Sequence, residues 1–374
     1  MPQNASSGHA RIDEHPSKRY YYGMTDPARL DALRPTLRDV ARVASVSLAT
    51  ASMALRDDPR TAVATRERVR AAAAKLNYVP DSQARGLRAR RSGNLGLVIP
   101  HSSEHVFSHP YFSALLNGIV ERCNQAGSML VLSISPVEHD ERTPYLRVLH
   151  GRSVDGAIVA SASLRDRNVL QLGASGYPAV FIGRYPDSTT VDAVGVDDRG
   201  GASLATDHLI AVHGRTRVAH LRGPANALSA LDRFEGYRDA LSRHLLPFQE
   251  ELVVSADYDE RSGREACARL LASAVPFDGI FAANDDSAIG SLRVLTEAGI
   301  RVPQGVSIVG FDDGPLASIV SPGLTTVSQP IRELGRTAAT RLLDLIDSPR
   351  GSGVAVQTIL PVELVVRGSC GCGA

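Results

Sequence analysis

Two groups of side chains in this sequence could do chemistry, and the first is a set of arginines near the N-terminus. Residues 36–92 contain eleven Arg and one Lys against four Asp and one Glu, a net charge of +7, whereas the rest of the chain carries −6. Guanidinium groups bind nucleic-acid phosphates well. The asymmetry therefore indicates either a nucleic-acid-binding segment or a solvated, arginine-rich helical face, and charge alone leaves both open.

The second group consists of polar side chains that follow short apolar runs: Ser161, Arg184, Asp197, Asn284–Asp285 and Asp312–Asp313. If the runs are parallel strands, these side chains stand at the carboxyl ends of the strands, where open α/β sheets bind their ligands. The carboxylates could form a general-acid pair, but ligand binding is the simpler interpretation.

Familiar catalytic motifs are missing from the sequence. It contains no phosphate-binding Gly-x-x-x-x-Gly-Lys-Ser/Thr loop, no strand-to-helix Gly-x-Gly-x-x-Gly, no His-Glu-x-x-His and no Gly-x-Ser-x-Gly. The eleven His residues are dispersed, and the four Cys are too scattered for a disulfide framework or a tetrahedral zinc site. We therefore predict a protein that is not an enzyme and holds no cofactor or metal.

The arginine-rich segment has the pattern of a helix-turn-helix. Thr36 and Asp39 form a capping-box signal, and Ser47 can cap a second short helix that runs to about Leu55. Thr65 is predicted to cap a third helix over residues 66–77. Two short helices joined by a tight turn and closed by a third predict a helix-turn-helix with a small three-helix core over residues 36–80.

Residues 81–92 predict a weak helix. The segment is too short to be stable alone, Gly86 weakens it further, and only Ala84 and Leu87 offer an apolar face. We expect this hinge helix to be unfolded in the free protein and to fold against a partner.

The hydrophobic pattern of the sequence changes after residue 93, where apolar runs alternate with amphipathic helical stretches. The runs predicted as strands are Leu95–Ile99, Met129–Ile134, Gly156–Ala160, Ala179–Ile182, Val218–Leu221, Gly279–Ala282 and Val306–Gly310. This alternation predicts doubly wound parallel sheets, and its length exceeds what one sheet needs. We therefore predict a core of two lobes over residues 93–366 with a cleft between them.

The two ends of the chain are predicted to be loosely ordered. Residues 1–35 lack an apolar period and read as a disordered arm, in which Met24 is an alternative start. Residues 367–374 read as a flexible tail. There Cys370 and Cys372 could form a redox pair, but a frayed terminus is the preferred interpretation.

An ordinary composition and the lack of a secretion signal or a membrane-spanning run favour a cytoplasmic protein. The chain has 374 residues, 43% hydrophobic and 22% charged, which is ordinary for globular domains. It has no apolar run near the ~20 residues needed to cross a bilayer. Residues 1–18 lack the apolar centre of a signal peptide. We expect no membrane partner.

The segment Thr-Leu-Arg-Asp-Val-Ala-Arg-Val-Ala-Ser-Val-Ser-Leu-Ala-Thr-Ala-Ser from Thr36, with Leu-Asn-Tyr-Val-Pro before Asp81, closely resembles the headpiece of the lactose-repressor (LacI/GalR) family of bacterial transcription regulators. The resemblance continues through Gly-Leu-Val-Ile-Pro from Gly96 and Val-Gly-Phe-Asp-Asp from Val309, so it covers nearly everything after residue 35. It implies a core like the type I periplasmic sugar-binding proteins and a homodimer that grips a near-palindromic operator.

The resemblance also implies which residues contact double-stranded DNA. The second helix would enter the major groove, and Leu87 would wedge into the minor groove and kink the duplex. Family members often carry Arg where this chain has Met53, so base recognition would depend on thymine methyls and DNA shape. The alternative is that Leu48 and Met53 fill the headpiece core. The residues so assigned are Thr36, Ser47, Leu48, Ala49, Thr50, Ser52, Met53, Ala84 and Leu87.

For the core, the resemblance implies a small effector in the cleft, with a sugar as the expected class. Arginine, aspartate and asparagine suit a polyhydroxylated ligand, because a hydroxyl satisfies them when they are buried. For Arg233 and Asp312, a structural ion pair within one lobe is the alternative. The matching positions are Tyr111, Phe112, Arg184, Asp197, Ser229, Arg233, Asn284, Asp312 and Gln329.

The predicted function is thus a ligand-responsive DNA-binding regulator, most simply a repressor. A solute-binding receptor without DNA function would leave the headpiece unexplained, and an enzyme of the doubly wound class would need a catalytic constellation that the sequence lacks. The tail has no heptad repeat of the kind that tetramerises, so a dimer is favoured over a tetramer.

Overall fold

A computed structural model describes residues 35–78, 91–136, 142–151, 153–161, 163, 166–185, 191–348 and 355–372. Two compact units divide the chain at residues 84 and 85, and each is described by itself. The predicted N-terminal arm and hinge helix, including Ala84 and Leu87, lie outside the described residues except at 35 and 91–92. Within the described part of the chain, no helix is long and apolar enough to span a membrane.

The headpiece begins with two capped helices, as predicted. Helix α1 (Leu37–Val43) opens with a capping box, in which Asp39 N–H donates to Thr36 Oγ1 and Thr36 N–H donates to Asp39 Oδ2 at 2.9 Å. Helix α2 (Leu48–Ala54) opens where Thr50 N–H donates to Ser47 Oγ at 3.1 Å. These bonds satisfy backbone donors that have no partner within the helix.

The third helix starts earlier than predicted. Helix α3 spans Val63–Lys75, its N-cap is Ala62, and Thr65 lies inside its first turn. The carbonyl of Ala62 accepts from the N–H of both Thr65 and Arg66, so the helix forms without a side-chain cap. Small residues of all three helices make the headpiece core: Val40, Ala41, Ala44, Ala51, Ala54, Val69, Ala72 and Ala73.

The second unit contains two six-stranded sheets, and every predicted apolar run is a strand. The first sheet is parallel throughout and has the order β11-β5-β4-β3-β1-β2. Its strands are β1 (Asn94–Ser102), β2 (Met129–Ser135), β3 (Gly156–Val159), β4 (Ala179–Ile182), β5 (Asp192–Val196) and β11 (Gln357–Leu360).

The second sheet has the order β12-β10-β9-β8-β6-β7 and is parallel except for β12, which runs antiparallel to β10. Its strands are β6 (Val218–Arg222), β7 (Val253–Ser255), β8 (Gly279–Ala282), β9 (Ser307–Asp312), β10 (Thr325–Ser328) and β12 (Glu363–Val365). The chain passes from one sheet to the other after β5, after β10 and after β11, which gives the predicted two-lobed core.

Helices cover both faces of each sheet. They are α4 (Ser103–Ser108), α5 (Pro110–Ala126), α6 (Arg142–Gly151), α7 (Arg167–Ala174), α8 (Asp198–Asp207), α9 (Leu228–Arg243), α10 (Glu260–Ala272), α11 (Asp285–Glu297) and α12 (Ile331–Asp347). Alternate residues of a strand enter different apolar clusters. Leu97 packs on one face of the first sheet and Val98 on the other. In the second sheet, Ile280 and Phe281 do the same.

The C-terminal segment is not a loose tail over its described part. Residues 368–370 form a short 3₁₀ turn, in which Ser369 and Cys370 are buried. Ser369 Oγ donates to the Ile308 carbonyl at 2.7 Å and accepts from Thr325 N–H at 2.8 Å. The prediction of flexibility from residue 367 was therefore wrong for this stretch, because it packs against β9 and β10 and satisfies their polar groups.

Helices α5 and α12 touch backbone to backbone in the first lobe. A Cβ atom at Gly118 would lie 1.9 Å from the Arg332 carbonyl oxygen, and one at Gly335 would lie 2.3 Å from the Leu115 carbonyl oxygen. Only glycine permits this approach.

We expect Gly118→Ala to force the two helices apart and to destabilise the core by about 1–3 kcal/mol. Thermal unfolding followed by circular dichroism measures the change, with the exposed neighbour Asn117→Ala as the matched control. An unchanged midpoint in Gly118→Ala would contradict the close helix contact.

Candidate effector cleft and DNA-reading helix

A cavity of about 190 Å³ lies between the two lobes, at the carboxyl ends of their strands. Eight of the nine predicted effector residues line it, although they come from distant parts of the sequence. They are Tyr111, Phe112, Arg184, Ser229, Arg233, Asn284, Asp312 and Gln329.

Asp197 does not line the cavity, contrary to expectation, and its neighbour Asp198 does. Asp197 is the N-cap of α8, and its Oδ1 accepts from Gly200 N–H at 2.9 Å. That bond turns the carboxylate back onto its own helix. The strand-end rule therefore led to this cavity but missed its acidic lining residue by one position.

Arg233 is the centre of the polar wall and is only 5% exposed. Its Nε donates to Asp198 Oδ1 at 2.7 Å, and its Nη1 donates to the Ala283 carbonyl at 2.5 Å and lies 3.7 Å from Asp312 Oδ1. The guanidinium carbon also lies 3.7 Å from the centre of the Phe311 ring, within cation–π range. The anticipated alternative of an ion pair within one lobe is thus present, and the same pair faces the cavity.

Asp312 lies beside Arg233 with its side chain 12% exposed, and it accepts from Gln329 Nε2 at 2.6 Å. Burial raises the pKa of its carboxyl from 3.8 to about 6, although the nearby charges of Arg233 and His109 oppose the rise. The backbone at Asp312 and Asp313 has φ of +117° and +58°, in the left-handed region that non-glycine residues rarely adopt. Such strain is common where side chains are aimed at a ligand.

Asn284 and Ser229 are held by Tyr258, which the sequence analysis did not identify. Asn284 Nδ2 donates to the Tyr258 carbonyl at 2.7 Å, and its Oδ1 accepts from Ser287 N–H at 3.1 Å as the cap of α11. The hydroxyls of Ser229 and Tyr258 lie 3.0 Å apart. Tyr258 stands alone in a polar loop, so no local pattern could have marked it.

Three histidines on the first lobe were also missed. His101, His105 and His109 line the cavity, with ring centroids 4.7 Å and 6.0 Å apart along the row. Their spacing of four residues was a usable signal, since such residues share one face wherever the chain is helical. Here the row begins on β1, passes along α4 and ends at the N-cap of α5.

Arg184 and His109 of the first lobe make polar contacts across the cleft, and His109 Nε2 also lies 3.7 Å from Asp286 Oδ2 of the second lobe. Arg184, after β4, donates from Nε and Nη2 to the two oxygens of Asp232 on α9, at 2.9 Å and 2.5 Å. His109 Nε2 lies 3.0 Å from the Tyr258 carbonyl oxygen. These contacts must break if the lobes separate, so they hold the cleft closed.

In the headpiece, helix α2 presents the side chains assigned to DNA. Leu48 is 45% exposed, Ala49 is exposed and Met53 is half-buried. Neither Leu48 nor Met53 belongs to the headpiece core, which argues against the alternative that they merely fill it. Ser47 Oγ and Thr50 Oγ1 lie 2.8 Å apart.

The chain matches two protein-family descriptions, one in each of its two compact units. Residues 36–81 match "Bacterial regulatory proteins, lacI family", and residues 206–370 match "Periplasmic binding protein-like domain". The HTH-type transcriptional regulator CelR of Thermobifida fusca is 34% identical over 341 residues, which cover 90% of this chain and 98% of that relative.

Solved structures show the same similarity. A transcriptional regulator CelR–cellobiose complex is 32% identical with a TM-score of 0.69, covering 90% of this chain and 100% of the other. A lac repressor dimer bound to operator and the anti-inducer ONPF is 30% identical with a TM-score of 0.78, covering 90% of this chain and 99% of the other.

The raised pKa of Asp312 predicts a pH dependence of stability. Between about pH 4 and pH 6 the folded protein retains a proton that the unfolded chain has released, so stability falls as the pH rises through this window. The quantity to follow is the free energy of unfolding of the wild type minus that of Asp312→Asn. This difference should fall by up to about 3 kcal/mol from pH 4 to pH 7. Urea titrations measure it, and the exposed Asp344→Asn is the control. A difference that rises with pH would contradict the assignment.

Proposed function

This chain belongs to the lacI family of bacterial regulatory proteins, and we propose that a small polyhydroxylated effector in its cleft controls binding to an operator. The protein is a DNA-binding transcriptional regulator and not an enzyme. The observation that carries the proposal is the concentration of hydrogen-bonding Arg233, Asn284 and Asp312, each largely shielded from solvent, around one cavity between the lobes. Because its target is the bacterial chromosome, it acts in the cytoplasm.

The cavity favours a sugar as the effector. Buried carboxylate, amide and guanidinium groups bind hydroxyls that can both donate and accept. The aromatic ring of Tyr111 stands beside them, and an aromatic face suits the apolar side of a sugar ring. The volume of about 190 Å³ is below the range of about 300–1,000 Å³ that is typical of drug-sized ligands, so a single sugar ring fits better than a disaccharide. The related CelR complex contains cellobiose.

Effector binding acts through closure of the lobes. The ligand adds contacts across the cleft to those of Arg184–Asp232 and His109–Tyr258, and so shifts the population towards the closed form. In a homodimer, this shift changes the separation of the two hinge segments. Coupling of about 1–3 kcal/mol, or 5- to 150-fold in operator affinity, is the usual size of such an effect.

Helix α2 reads the operator in the major groove. Leu48, Ala49 and Met53 contact base edges, while Ser47, Thr50, Ser52 and Thr36 at the start of α1 bind phosphates or bases. Apolar readers pack on thymine methyls and cannot bind guanine in a bidentate way. We assign Leu87 of the two subunits to the minor groove at the centre of a near-palindromic site, with Ala84 as a further DNA contact.

Arg233→Met should abolish the effector response. The wild-type protein should change its affinity for the operator at least about 5-fold when the correct sugar is added, and the variant should bind DNA but ignore the sugar. Fluorescence anisotropy with labelled operator and a panel of ribose, glucose and cellobiose measures this. The matched control is Arg238→Met, on the exposed side of the same helix.

Because Arg233→Met could unfold the core, Asp312→Asn provides a milder second variant. A normal sugar response in both variants would refute the proposed effector site. A wild-type protein that prefers no duplex sequence at moderate salt would refute the regulatory function itself.

Met53→Arg should change the operator preference at one position of each half-site. Arginine can donate two bonds to guanine, which is worth about 1–3 kcal/mol of discrimination. Selection from random duplexes, compared with the wild type, reads out the change. Val43→Arg adds the same charge on the exposed surface of α1 and should alter affinity without altering the preferred sequence. Identical selected sequences for Met53→Arg and wild type would contradict the placement of α2.

A further inference from the structure

Four metal-ligating side chains that the effector cleft does not use meet in the second lobe: His208, His213, Cys370 and Cys372. One ligand atom of each lies within 4.8 Å of every other. The two histidines follow α8, and the two cysteines are some 160 residues away at the end of the chain. No spacing motif joins them in the sequence, which is why the sequence analysis predicted no metal site.

Four of the six distances between these atoms are close to the edges of a tetrahedron around a zinc ion. The two histidine Nε2 atoms are 3.3 Å apart. His208 Nε2 lies 3.3 Å from Cys370 Sγ and 3.8 Å from Cys372 Sγ, and His213 Nε2 lies 3.4 Å from Cys372 Sγ. Tetrahedral zinc, with bonds of about 2.0–2.1 Å to nitrogen and about 2.3 Å to sulfur, separates two nitrogens by about 3.3 Å and nitrogen from sulfur by about 3.6 Å.

The backbone is shaped to bring the histidines together. Residues five apart on a regular α-helix point about 140° away from each other. Here His208–Val212 form a π-helix, which His213 directly follows. The wider π turn places His208 and His213 on one side, and single π turns inside α-helices are frequent at functional sites. Four residues separate His208 from His213, which falls in the His-x₃₋₅-His range of structural zinc sites.

The cysteine side is equally constrained. Gly371 has φ of +119°, and a Cβ atom there would lie 2.9 Å from His213 Nδ1, so only glycine lets the turn fold over the imidazole. The backbone N–H of Cys372 donates to Cys370 Sγ at 3.4 Å, and the Thr325 hydroxyl lies 3.1 Å from the same sulfur. Ser307 Oγ donates to the Cys370 carbonyl at 2.7 Å. Such supporting bonds typically orient metal ligands.

We propose that this cluster binds one Zn²⁺ through Cys370 Sγ, Cys372 Sγ and the Nε2 atoms of His208 and His213. Two thiolates and two imidazoles in a tetrahedron favour zinc, and binding releases the two thiol protons to water. The protein fills all four positions, which makes the site structural. The metal fastens the C-terminal segment to the end of the helix that begins at Asp198 in the cleft.

The test measures metal in the full-length protein, purified under reducing conditions and dialysed against metal-free buffer. Mass spectrometry should find about one zinc per chain in the wild type and less than about 0.2 in the Cys370→Ser/Cys372→Ser double variant. Cys267→Ala, which removes a buried cysteine elsewhere in the same lobe, should keep the full amount. Operator affinity and circular dichroism establish that the double variant is folded.

Cobalt substitution gives a second readout, and its wild-type arm does not depend on a variant folding. Wild-type protein loaded with Co²⁺ should show the visible bands of a tetrahedral site and sulfur-to-cobalt charge transfer, and His213→Cys should retain binding with a stronger sulfur band. Zinc removal by a chelator should lower the melting temperature by at least about 5 °C.

The proposal would be overturned if the wild-type protein contained no zinc and showed no cobalt bands. It would also be overturned if the double variant contained as much zinc as the wild type. A mass two hydrogens lower under non-reducing conditions, mapped to residues 370–372, would identify a disulfide instead.

Discussion

A single buried cation, Arg233, ties together the elements around the cleft. Its guanidinium joins helix α9 to Asp198 at the start of α8, to the carbonyl that follows β8, and to Asp312 at the end of β9. Breaking a buried pair by removing one partner typically costs about 3–5 kcal/mol, since the remaining charge stays buried. The polar residues of the site are therefore also part of the structure of the second lobe.

Helix α8 connects this network to the opposite end of the lobe. Its first turn contains Asp198, and the π-helix that continues it begins with His208. Between these two points its buried residues pack on the second sheet, so the helix behaves as one rigid element. The position of Asp198 in the cleft thus depends on how firmly the other end of the helix is held, and the C-terminal turn with Cys370 and Cys372 packs there.

Much of the fold could be predicted because its signals are local. The buried runs of the sheets and the caps at Thr36 and Ser47 depend on neighbouring residues alone. Strands such as β7 and β12 have only three residues, two of them apolar, which is too short a pattern to identify a strand, so they form only because the sheet is already there to pair with. Thr65 was predicted as the cap of α3, and Asp197 was predicted to line the cleft where Asp198 does. Both errors arise because a helix start can shift by one to a few residues without changing the local sequence pattern. The Cys and His cluster could not be predicted, because it forms only through tertiary packing.

The cleft is suited to regulation because its charges are already compensated within the protein. Arg233 keeps Asp198 and Asp312 as partners when the lobes open, whereas Asp232 loses its partner Arg184. What the open form loses are polar bridges such as Arg184–Asp232 and His109–Tyr258. A typical net contribution is about 0.5–1.5 kcal/mol for a neutral bond and about 1.5–3 kcal/mol for a charged one. A few ligand hydroxyls contribute a free energy of the same size. The balance between open and closed lobes is therefore close enough for a small molecule to reverse it.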